Sequence, residues 1–273
     1  MLRSALLCWL LLNEGRLAYG HDFVAVFFDD ESATELHADA PLPRDLVAQV
    51  ITRLHEAGAR GLVLKFFYDL PSDPKKDEAV AKALCLMPTA LQACHRPDGS
   101  TNVLPERFRL PKNHNLNLDG VMWSDRGYLP LPIFSKCARS VGFVDLERTD
   151  SVPLVEAYQD DLVKSLYVSA LEIELREPAI YKGSKVIFGA KTLSFNSEGE
   201  HPIKALPKLD YIPFHSVLNR SVPAKTFKDK VIILGYEGRR IHSIKTKWGE
   251  IKAHRLLVQS LLALTQDLES RSP

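Results

Sequence analysis

The chain has 273 residues, 45% of them hydrophobic and 25% charged, with a formal net charge of +1. These proportions are those of a folded domain and exclude a disordered segment. The near-neutral balance also lacks the basic excess expected of a nucleic-acid-binding domain.

Residues 1–20 differ from the rest. Arg3 precedes an apolar run over residues 5–12, and Ala18-Tyr19-Gly20 places small residues around a cleavage point, which is the pattern of a secretory signal. The run is far shorter than the roughly 20 residues a spanning helix needs. Removing residues 1–20 takes away Arg3, Arg16 and Glu14, so the mature chain is formally neutral. A secreted or periplasmic location follows as the expectation. There an odd number of cysteines remains, Cys85, Cys94 and Cys137. Cys85 and Cys94 are expected to pair, leaving Cys137 free.

Residues 23–28 (FVAVFF) and 62–67 (LVLKFF) read as parallel strands covered on both faces, because they are apolar without strict alternation. Between them Leu46, Val47, Val50, Ile51 and Leu54 recur at helical spacing, with Pro43 able to open the helix and Gly58 to close it. The unit is a βαβ crossover. Ligands of open parallel sheets bind outside the carboxyl ends of the strands. Asp29, Asp30, Glu31 and Asp69 fall there, and Arg44 opens the crossover helix.

Asp73 and Pro74 start a short helix with Val80 and Leu84 on its apolar side. Prolines and glycines then punctuate residues 86–135, which read as a loop-rich excursion. Residues 141–146 read as a strand and residues 159–177 as a helix stopped by Pro178. Residues 185–188 and 192–195 read as a β-hairpin, residues 231–234 as a buried central strand, and residues 253–264 as a closing helix. The fold class is therefore α/β, a mainly parallel sheet flanked by helices. A polar tail occupies residues 266–273.

Four segments stand in order: the opening strand with its paired acids and Pro-Arg helix, Gly142-Phe143-Val144, Lys230-Val231-Ile232-Ile233-Leu234-Gly235, and Gly249-Glu250-Ile251-Lys252-Ala253-His254. Together they resemble the CHASE domain of the second type, an extracellular sensory module of bacterial histidine kinases and cyclases. The resemblance implies a sensor over residues 21–265. In such receptors membrane helices and an output domain follow the sensor, and this sequence carries neither. The partners it implies are an unknown small solute and a separate membrane receptor or signalling protein. The chain departs from the family at Lys65, where the second strand usually has Asp, and at Lys252, where His is usual.

Two patches suit a solute. Asp29, Asp30 and Glu31, with Arg44 and Asp69, form one. Gly235, Gly238, Arg239 and Arg240 lead a basic group that includes Lys245, Lys247, Lys252 and Arg255. Capping and solvation are the ordinary roles of such acids and bases. His242 and His254 lack a third ligand at metal spacing, and no cofactor motif or catalytic signature is present. A sensor is the preferred reading. A periplasmic hydrolase using Asp29, Asp30 or Asp69 is the alternative, and a module kept only for contact with a partner protein is the third.

Overall fold

A computed structural model describes residues 22–39, 41–112 and 115–270. The expected signal segment lies outside the described residues. The strands in chain order are β1 (Phe23–Phe28), β2 (Gly61–Leu64), β3 (Thr89–Ser100), β4 (Trp123–Ser124), β5 (Gly127–Tyr128), β6 (Ser140–Phe143), β7 (Ser151–Pro153), β8 (Val155–Tyr158), β9 (Asp161–Lys164), β10 (Ile180–Lys182), β11 (Lys185–Phe188), β12 (Lys191–Ser194), β13 (Glu200–Pro202), β14 (Tyr211–Pro213), β15 (Val231–Tyr236), β16 (Ser243–Thr246) and β17 (Gly249–Lys252). The helices are α1 (Asp30–Glu35), α2 (Arg44–Glu56), α3 (Pro74–Leu84), α4 (Pro132–Ser135), α5 (Leu166–Leu175), α6 (Phe214–Leu218) and α7 (Ala253–Ser270).

The main sheet runs β14-β1-β15-β2-β3, with β6 and β5 both paired to β3. Its pairs are parallel except β3 with β5. The crossover read from the sequence is present, but β1 and β2 are not neighbours. The late strand β15 lies between them and pairs with both.

Side chains alternate through the sheet, so β1 feeds two cores at once. Val24, Val26 and Phe28 pack on one face with Val47, Val50, Ile51 and Leu54 of α2. Phe23, Ala25 and Phe27 pack on the other with α5 and α7. Burial on both faces explains why β1 and β15 read as continuous apolar runs. Asp73 caps α3 as expected, accepting from the backbone N–H groups of Lys75 and Lys76.

Two elements differ from the sequence reading. The 12-residue strand β3 occupies the start of the supposed excursion. Its second half holds Pro97 and Gly99 and pairs irregularly with β5, which is why it reads as a turn region. The helix expected over residues 159–177 is instead β9 followed by α5. Ser165 caps α5 by accepting from Val168 N, and the turn at Gln159 reverses the chain between β8 and β9. Gly142 admits this arrangement, since a Cβ there would lie 2.5 Å from the Leu166 backbone.

The Cys85–Cys94 disulfide is corrected. Cys85 bonds Cys137, with α-carbons 5.0 Å apart, and Cys94 is the free thiol. The reason is topological. Cys85 ends α3 and Cys137 follows α4, which packs against α3, whereas β3 carries Cys94 into the buried sheet.

Candidate functional site

The carboxyl ends of the central strands open onto one cleft of about 670 Å³. Lys65, Phe66, Phe67 and Tyr68 reach it from the end of β2, and Gln92, Cys94 and Arg96 from β3. Val144, Asp145 and Leu146 follow β6, and Tyr236 ends β15. Arg240, Ile241 and His242 come from the next loop, and His254 from the first turn of α7. The walls are mostly apolar and aromatic, with a few polar groups converging on the centre, as ligand pockets usually are.

Lys65 is the central charge. The residue is only 7% exposed, and among the described residues its ammonium makes no hydrogen bond or salt bridge. Burial lowers its pKa to about 8, and the Cys94 and Asp145 side chains oppose that fall. Asp145 moves the other way. Burial raises its pKa to about 6, against the His95 backbone N–H, Lys65 and Arg96. Burial, then Asp145, pushes the Cys94 thiol up to about 11. Gln92 is 1% exposed, and its Oε1 has no hydrogen-bond partner.

His254 has a fixed role. Its Nδ1 accepts from the Tyr236 backbone N–H at 2.8 Å, so a neutral ring carries its proton on Nε2. Burial first, then Lys65 and His242, lowers its pKa well below the ordinary value. Gly235 is what lets the ring sit there, because a Cβ would come within 3.0 Å of His254 Nδ1.

The residues singled out in the sequence separate into two groups. Arg44 and Arg240 line the cleft. The Arg44 guanidinium is bonded to Asp77 and the Leu70 carbonyl and lies over the rings of Tyr68 and Phe134. Arg240 pairs with Asp39 at an exposed position. Asp29 caps α1 by accepting from Ser32 N at 2.8 Å and also takes the Tyr211 hydroxyl at 3.1 Å. Asp30 accepts from Arg239 N at 3.0 Å, which joins the acidic and basic patches at one sheet edge. Glu31 is exposed and Asp69 half-buried, and neither is among the cleft-lining residues. Gly238 packs under the Tyr236 ring, where a Cβ would lie 2.5 Å from the hydroxyl oxygen.

Gln92, Asp145 and Tyr236 are not among the site residues read from the sequence, and Cys94 is read there only as a disulfide partner of Cys85. Each lies within an apolar or unremarkable stretch, and only the pairing of β3 with β2 and β6 assembles them. Lys65 had a visible signal, a lysine inside a run that otherwise reads as a buried strand.

The family model for the CHASE2 domain matches residues 4–246, a span that includes every strand of the main sheet. The chain belongs to the CHASE2 domain family. Neither the curated proteins nor the solved structures provide a further match. Among the described residues of this CHASE2 domain, no helix is long and apolar enough to cross a membrane.

Proposed function

We propose that this CHASE2 domain is an extracytoplasmic, non-enzymatic sensory module. In this reading its cleft binds a small organic solute with an anionic group and an apolar body. The observation that carries the reading is Lys65, a buried cation in a mostly apolar cleft whose ammonium makes no salt bridge or hydrogen bond among the described residues, with only the Cys94 and Asp145 side chains acting on it from beyond contact. Such a charge is costly unless something pairs with it. Arg44, Arg96, Arg240 and the His254 Nε2–H add donors around it, while Tyr68, Tyr236, Leu42 and Ile241 supply apolar contact. A thiol at about 11 stays protonated near neutral pH, which suits a packing role better than a nucleophile. The leader over residues 1–20 and a separate membrane receptor or signalling protein belong to the same proposal.

Thermal-shift measurements with carboxylates, phosphates, amines and neutral solutes test it. Anionic solutes are expected to raise the melting temperature, and Lys65→Met is expected to abolish that rise. The variant itself should melt at or above the wild type, because a buried charge has been removed. Equal stabilisation by neutral solutes, or full retention of the anion effect in Lys65→Met, overturns the reading.

A further inference from the structure

We propose that His95, Asp145 and Glu156 form a binding site for a divalent first-row transition metal, with one imidazole and two carboxylate ligands. The site lies beside the cleft and does not depend on any solute being bound there. His95 belongs to β3, Asp145 follows β6 and Glu156 belongs to β8. One ligand atom of each lies within 4.8 Å of the other two. His95 Nδ1 is 3.6 Å from Asp145 Oδ2 and 3.7 Å from Glu156 Oε2.

These separations are too long for hydrogen bonds. They are close to the spacing of two ligands on one ion, about 3.3–3.6 Å for tetrahedral bonds of 2.0–2.2 Å. An independent observation points the same way. Glu156 is 0% exposed and neither of its carboxylate oxygens has a hydrogen-bond partner. The His95 side chain is 8% exposed, and neither ring nitrogen has one. His95 Nδ1 and the two Glu156 oxygens are thus orphaned beside one another, and such clusters are rare in a native interior, where unpaired groups each carry a desolvation penalty. A cation held between Nδ1 and the carboxylates satisfies them together.

The surroundings are those of a held ligand set. The Phe143 and Tyr158 rings pack on the imidazole at centroid distances of 4.9 and 6.3 Å. The His95 backbone N–H donates to Asp145 Oδ2 at 2.9 Å and orients the carboxylate. Asp145 also lines the cleft, which gives an ion its entry path. Mixed nitrogen and oxygen donors without thiolate favour the manganese-to-zinc series over calcium, which takes oxygen alone.

The test uses the untagged full chain, stripped with chelator and titrated with Co²⁺ and Zn²⁺. One equivalent of Co²⁺ should bind with a visible d–d absorption band, and Zn²⁺ should raise the melting temperature. Glu156→Gln and His95→Gln are each expected to weaken Zn²⁺ by about 100-fold or more. Metal-free Glu156→Gln should keep the wild-type near-ultraviolet circular dichroism and melt no lower than metal-free wild type, which separates lost ligation from lost fold. Absence of a stoichiometric Co²⁺ band overturns the proposal, as does Zn²⁺ affinity left unchanged by both substitutions.

Discussion

Asp77 shows how one carboxylate couples two helices at the edge of the cleft. It sits in the first turn of α3, accepts from Ser72 N at 3.0 Å, and holds Arg44 at the start of α2. Desolvation works against its charge, but Ser72 and Arg44 outweigh it and leave the pKa below its ordinary value of 3.8. A depressed folded pKa means that the unfolded chain binds the proton more readily. The stabilisation is therefore complete above the ordinary value and disappears as pH falls through the lower, folded one. Asp77→Asn is expected to lower the urea midpoint at pH 7, with the two curves converging as pH drops below the folded pKa. A midpoint difference that persists unchanged in acid would show that the carboxylate charge contributes nothing.

At the scale of elements, the Cys85–Cys137 bridge fastens the end of α3 to the turn after α4. Its ends are 52 residues apart in sequence, and a loop of that size corresponds to about 4 kcal/mol of lost denatured-state entropy in the chain-entropy estimate. The double Cys→Ala variant is expected to unfold at markedly lower denaturant. Non-reducing peptide mapping should find Cys85 linked to Cys137, with Cys94 alkylated only after unfolding. Linkage of Cys94 to either partner contradicts the topology. The same elements mark how far the sequence could be read. β1, α2, α3 and β15 were legible because burial on two faces, a capping Asp-Pro pair and helical apolar spacing are all local signals. β3 was not, since Pro97 and Gly99 obscure a strand whose pairing comes from residues 127–128 and 140–143. The site inherited that blindness. Arg44 was legible as a charge opening the crossover helix and Arg240 as one following a strand end, whereas Gln92, Cys94, His95, Asp145 and Glu156 meet only through β3 and its neighbours. Asp29 was visible for the opposite reason, since it caps the helix only three residues on at Ser32, whereas the Asp30 bond to Arg239 spans 209 positions and needed the fold.

At the scale of the whole molecule, the insertion of β15 between β1 and β2 makes the final third of the chain a structural keystone. Phe23 pairs with Val231 and Gly61 also pairs with Val231, so two early strands are bridged by residues synthesised some two hundred and one hundred seventy positions later. Until that segment arrives, both strands present unpaired backbone edges, and neither the sheet nor the cleft at its carboxyl ends can exist. Contacts of such long sequence separation slow folding, because loop-closure entropy must be met before the pairing rewards it. The nascent protein therefore has a timing property that its finished shape conceals: β1 and β2 cannot be joined into one sheet until residues 231–236 have been made.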